Sequence, residues 1–238
     1  MLAQPVIQVL RRYAQTFHPV VPFKAGKDGL LKMDFTETNK ELTADVIGDP
    51  NAFSRYIKNI LDKSSSLYGI GGYDEHRTVY SRSHVFDPAK PGELPRRLHL
   101  GVDIWGNAGT PIYAFMGGRV HSFAYNNNYG DYGATLILMH QLDAIRFYTL
   151  YGHISLADIE NLSSSQYMIR GQEMAHFGIP EENGQWPPHL HFQVIIEMGI
   201  KEGDYPGVCS FNEREKYLSN CPDPDLILQM NKYAKEPL

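Results

Sequence analysis

Residues 134–153 read ATLILMHQLDAIRFYTLYGH. Two short runs, ATLILMH (134–140) and RFYTLYGH (146–153), are alternating or rich in β-branched and aromatic residues, and more of the same kind surround them. GVDI (101–104), TPIYAF (110–115), GRVHSFAY (118–125), EMAHFG (173–178) and HLHFQVII (189–196) follow at close intervals, each bounded by Gly, Asn, Asp or Pro. Short strands separated by turn signals predict a mainly β fold of the α+β type, an antiparallel β-sheet sandwich or partly open barrel that begins near Leu98.

Upstream the pattern is helical. Val6, Val9, Leu10 and Tyr13 recur at helix spacing over 3–16, and a second helix is predicted over 50–63. There Asp49 can cap the helix, Pro50 takes the first helical position, and Phe53, Tyr56, Ile57, Ile60 and Leu61 form one face. LLKMDFT (30–36) reads as a strand and 64–95, rich in Ser, Gly, Pro and Tyr, as a long irregular arm. A Gly/Pro-rich tail after Ile196 leads to a short helix near 224–233. The expected organisation is an N-terminal helical and irregular extension (1–94) with its helices packed outside, a β domain (95–197) and a C-terminal wrap (198–238).

Composition limits the function. The 238 residues are 42% apolar and 21% charged, which excludes a disordered or coiled-coil chain. A net charge of -5 supplies no basic surface, so neither nucleic acid nor membrane is an expected partner. No apolar run nears the ~18 residues of a membrane span, and the N-terminal residues lack the charge-first pattern of an export signal. Cys209 and Cys221 are too few for a disulfide scaffold and read as reduced structural thiols, so the expected compartment is the cytoplasm. Ten histidines stand out in a chain with no His-rich tract. His is the commonest metal ligand and an acid–base side chain at neutral pH.

Three clusters carry that chemistry: His99-Leu-Gly-Val-Asp103, Tyr151-Gly152-His153 and His189-Leu-His191. In a straight strand His99 and Asp103 would stand about 13 Å apart, too far for one ion. They can share a metal only if His99 lies on a bend entering the strand, which Gly101 permits. His189 and His191, two apart on a strand, face one way at roughly 6.5–7 Å. That spacing leaves open which of them would bind an ion. A catalytic zinc needs three N/O ligands, an open position and a neighbouring base, and one carboxylate with four imidazoles meets that need.

HLGVDI (99–104), GTPIYA (109–114), GRV (118–120), LYGHIS (150–155), RGQ (170–172) and PPHLHFQV (187–194) together resemble, in order and spacing, the lysostaphin-type zinc endopeptidases. The resemblance covers about 95–197. It implies one Zn²⁺ held by His99, Asp103 and His191, with His153 and His189 as the acid–base pair beside a metal-activated water. It also implies hydrolysis of short peptide bonds of the peptidoglycan type, often containing glycine. The arm GGYDEHRTVYS, the stretch GQWPPHLHFQ and the C-terminal tail further resemble the peptidase-like module between kinase-like and aminotransferase-like domains of some large fusion proteins. On that likeness the substrate need not be peptidoglycan, and an intracellular amidase or a non-catalytic metal-binding or regulatory module are the alternatives.

The arm holds His76 and His84 with Asp74, Glu75 and Asp87, and a segment so placed can cover the cleft or reach the open metal position. Trp186, in a loop longer than the family's usual turn, either walls the cleft or packs. His140 orients a neighbour or packs at a strand end; His18, His121 and His176 have no assigned part.

Overall fold

The strand carrying ATLILM is covered on both faces, and therefore reads as nearly continuously apolar instead of alternating. The structure, a computed structural model, describes residues 3–237. Its strands are β1 (Leu30–Met33), β2 (Tyr68–Gly71), β3 (Arg96–His99), β4 (Val102–Trp105), β5 (Pro111–Tyr113), β6 (Gly118–Asn126), β7 (Gly133–Leu142), β8 (Ile145–Ile154), β9 (Tyr167–Met168), β10 (Glu173–His176), β11 (His189–Ile195) and β12 (Val208–Ser210). Eight of them form one open sheet in the order β1-β2-β4-β11-β8-β7-β6-β9. Two short antiparallel pairs, β5 with β10 and β3 with β12, stand apart from it.

The fold is mainly β and open, as the turn-punctuated pattern predicts. The sheet is mixed, because β1 and β2 run parallel while its other pairs are antiparallel. On one face Leu136, Leu138, Tyr151, Phe192 and Val194 join Val6 and Leu10 of helix α1 (Ala3–Tyr13) in one core. On the other, Ile137, Leu150 and Ile195 meet Leu98, Tyr205 and Cys221. Each such side chain contributes about 1.5–3 kcal/mol by leaving water, so covering both faces fixes the register of the central strands. Cys209 and Cys221 are buried and unbridged.

Helices α2 (Ala44–Gly48) and α3 (Pro50–Ser64) follow β1. Asp49 caps α3 by accepting from the Asn51 amide at 2.8 Å, with Pro50 in the first turn. Phe53, Ile57 and Leu61 pack that helix into a third apolar cluster with Trp105 and Trp186. A single turn of helix at Asp225–Leu228 answers the one expected near 224–233.

The stretch 64–95 departs from the irregular arm expected of it. It contains β2, whose glycines hid the strand. Their missing side chains leave room for neighbours: a Cβ on Gly69 would lie 2.6 Å from the Met33 sulfur, and one on Gly71 would lie 2.7 Å from Nη2 of Arg77.

Candidate metal centre

Asp103 and His191 are cross-strand partners on β4 and β11. Opposed side chains of an antiparallel pair have Cβ atoms about 4.5–5.5 Å apart, so carboxylate and imidazole converge. The same row continues to Gly71 on β2 and Gly152 on β8. Both flanks are glycine because other groups fill the space: the Arg77 guanidinium over Gly71, and the Tyr132 ring 2.5 Å from where a Gly152 Cβ would stand. In the next row His189 opposes Trp105, and the two rings stack at 3.9 Å.

The remaining two histidines come in by breaks in regular strand. His99 is the last residue of β3, and the chain bends through Leu100 and Gly101 before β4 starts. A Cβ on Gly101 would lie 2.5 Å from the His191 ring, so only glycine lets the chain pass there. His153 has φ 62. Regular alternation would send it with Tyr151 into the first core; the left-handed backbone turns it instead towards His189, ring to ring at 4.1 Å. Such a conformation costs a non-glycine residue about 1–2 kcal/mol.

All five residues expected at the site are thus brought together and buried. His99, Asp103 and His191 could hold a metal. His99 Nε2, His191 Nδ1 and Asp103 Oδ1 stand 2.9, 3.0 and 3.2 Å from one another. Tetrahedral zinc with bonds near 2.0–2.1 Å places its ligand atoms about 3.3 Å apart. The donor set fits the ion with shifts of a few tenths of an ångström.

The imidazole tautomers are set by groups outside this triangle. His99 Nδ1–H donates to the Gly72 carbonyl at 2.9 Å, which leaves Nε2 with its lone pair. His191 is reversed, donating from Nε2 to Gln193 Oε1 at 2.9 Å and turning Nδ1 inward. Gln193 is itself oriented, since its amide nitrogen donates to the Pro206 carbonyl at 3.1 Å. His153 and His189 donate from Nδ1 to the carbonyls of Asn183 (2.8 Å) and Pro187 (2.7 Å), so each has an unprotonated Nε2. Partners of this kind pre-orient metal ligands.

Burial opposes ionisation of Asp103, but the neighbouring His99 and the Arg77 guanidinium overcome it and hold its carboxyl well below the usual range. Burial lowers His189 to about 4. It likewise lowers His153 well below the ordinary imidazole value, aided by repulsion from His189 and His191. The expected acid–base pair is therefore neutral at rest. A positive charge can appear there only after a proton is taken up.

Sequence reasoning missed Arg77. Only 1% exposed, it donates from Nη1 to Asp103 Oδ2 and from Nε to Glu75 Oε2 at 2.6 Å. The arm thus reaches the site, but not by its acidic or histidine side chains: Asp74 pairs with Arg214, and His84 is exposed and bonded to Asp87. Nothing in the spacing of DEHRTVYS marks its arginine. Trp186 is both packed and part of the cavity wall. His140, buried, bonds the Gly117 carbonyl and the Thr149 hydroxyl away from the cluster.

Residues 97–202 match the model of Peptidase family M23. All five clustered residues lie in the matched segment, and Arg77 lies before it. Over 128 residues the chain is 30% identical to the DD-carboxypeptidase/endopeptidase Mpg of Neisseria meningitidis, an alignment taking in 53% of this chain and 27% of the relative. Over 166 residues it is 25% identical to the L-Ala–D-Glu endopeptidase of Bacillus subtilis, with 65% and 48% covered. The chain thus spans about a quarter to a half of the length of these relatives. Among solved structures it is similar to the catalytic domain of lysostaphin from Staphylococcus simulans, at 19% identity and a TM-score of 0.38, covering 69% of this chain and 96% of that one.

Proposed function

We propose that this chain is a zinc-dependent metallohydrolase that cleaves peptide-type amide bonds of the kind found in peptidoglycan. The observation that carries the proposal is the triangle of His99 Nε2, Asp103 Oδ1 and His191 Nδ1, whose spacing suits a tetrahedral ion, beside two neutral histidines with free Nε2 atoms. The matched segment and relatives named as endopeptidases support a peptidase.

In this reading His99, Asp103 and His191 hold one Zn²⁺, which when bound supplies Lewis-acid polarisation and an activated water. The chain's own part is proton handling. Neutral Nε2 of His153 or His189 accepts a proton as general base, and the resulting imidazolium is held by the carbonyl that already accepts its Nδ1–H. That charge, formed in a water-poor site, stabilises the oxyanion developing on the scissile carbonyl. The same group then returns the proton to the leaving amine. A cytoplasmic setting and the likeness to a fusion-protein module belong to the same proposal.

The test is zinc content and peptide hydrolysis measured together. Asp103→Ala and His191→Ala are expected to lose zinc, while His153→Ala and His189→Ala keep it and lose hydrolysis. Equal zinc loss in His189→Ala and His191→Ala would end the division of labour between them. A wild type that binds zinc but hydrolyses no peptidoglycan fragment or short Gly- or D-Ala-containing peptide would favour a binding module.

A further inference from the structure

Four of the five site residues, Asp103, His153, His189 and His191, line a cavity of about 250 Å³, and the fully buried His99 lies against His191. Only Val85, Arg96, Asp131, Asp204 and Pro206 among its lining side chains reach solvent appreciably. One wall is a strap formed by residues 77–86 of the arm, which precedes the matched segment. Its base is stitched to β3: the Arg77 amide donates to the Arg97 carbonyl at 2.8 Å, and Arg96 donates to the Val85 carbonyl. Its far end is fastened to the loops beyond. Arg82 donates to the Gln185 carbonyl at 2.9 Å and to the Tyr129 hydroxyl at 2.8 Å, and its guanidinium lies 4.6 Å from the Trp186 ring centre. Ser83 donates to the Tyr129 carbonyl and packs so closely on Gly130 that a Cβ there would stand 2.5 Å from it.

We infer that the strap turns the cleft into a blind pocket, and that the substrates are short free peptides of two or three residues instead of the peptidoglycan polymer. The inference rests on the peptidase reading and sets its substrate class. At about 250 Å³ the cavity lies below the ~300 Å³ where pockets for drug-sized ligands begin, a size that suits a short peptide and not a polymer strand. An extended chain needs an exit on both sides of the scissile bond, and fastening of the strap to Tyr129 and Gln185 closes one of them. The lining suits a peptide: among the described residues, Trp105 and Trp186 keep buried indole N–H groups with no acceptor, and peptide carbonyls or a terminal carboxylate supply one.

The experiment is a length ladder of Gly/Ala peptides from two to six residues, plus intact peptidoglycan, with zinc-loaded wild type and Arg82→Ala; Arg82 fastens the strap but does not line the cavity. For wild type, kcat/KM is expected to be highest for di- and tripeptides, to fall at least tenfold by five residues, and to be undetectable on the polymer. In Arg82→Ala, hydrolysis of the longest peptides rises at least tenfold while the dipeptide rate stays within about threefold. Calorimetric binding to the zinc-free protein is to follow the same order of lengths. Equal hydrolysis or binding of long and short peptides overturns the blind pocket and leaves the peptidase standing. Hydrolysis that appears only after Arg82→Ala overturns it in favour of an inhibitory segment. No hydrolysis at any length, with binding still selective for short peptides, overturns the peptidase reading alone.

Discussion

Arg77 and Asp103 divide the carboxylate between them and the histidines. Nη1 of Arg77 donates to Oδ2, so that Oδ1 alone faces His99 Nε2 and His191 Nδ1. The carboxylate is thereby held for one-oxygen coordination, and the guanidinium is kept in place by Glu75 and by the Phe35 ring 5.0 Å beneath it.

Loss of this restraint should appear in metal affinity. Partners that orient a ligand are commonly worth 10–100-fold in affinity, so Arg77→Met should weaken zinc binding by about that range, and Arg77→Lys by less. Competition with a chromophoric chelator measures it. The metal-free Arg77→Met protein should also be less stable, by about 3–5 kcal/mol, because Asp103 loses the charge that pays for its burial. Unchanged zinc affinity would make the arginine a purely structural residue.

Gln193 offers a test of the His191 tautomer. With Gln193→Met the Nε2–H of His191 has no amide oxygen to meet, and the ring can place its proton on the inward Nδ1 instead. Zinc affinity should fall about tenfold, as competition with a chelator would measure, with the fold retained, as circular dichroism would show.

Much of this site was legible because the chemistry-bearing residues sit on strands with simple periodicity. His189 and His191 had to face one way, and His99 had to lie on a bend if it was to meet Asp103; the break at Leu100–Gly101 is that bend. What stayed hidden depends on contacts far apart in sequence. Strand β2 was obscured because its glycines make room for Met33 and Arg77, and Arg77 itself belongs to a stretch with no period at all. Neutrality of His153 and His189 was equally out of reach, since it follows from burial, which only the packed structure sets.

His153 stores strain that a substitution can release. At φ 62 an alanine keeps the unfavourable left-handed backbone, whereas glycine adopts it freely. His153→Gly should therefore be about 1 kcal/mol more stable than His153→Ala in urea unfolding of the metal-free protein, both being inactive. The reverse order would mean that the turn at 153 is not strained.

His140 predicts a pH dependence separate from the metal centre. Burial lowers it to about 4 from 6.5, against the favourable hydrogen bond to the Gly117 carbonyl, and its Nε2 meets the Thr149 hydroxyl at 2.8 Å. Above pH 6.5 the ring is neutral in folded and unfolded chains alike and the shift has no effect on stability. Between 6.5 and 4 the unfolded chain binds a proton that the folded one refuses, so stability rises with pH across this window and is lost on acidification. At 1.36 kcal/mol per pH unit the full loss is on the order of 3 kcal/mol. His140→Gln keeps polar atoms at the site but cannot titrate, so from pH 7 to 4 the metal-free wild type should lose about that much more unfolding free energy than the variant. Parallel curves in denaturant titrations would mean that His140 is already protonated, or water-exposed, in the folded protein.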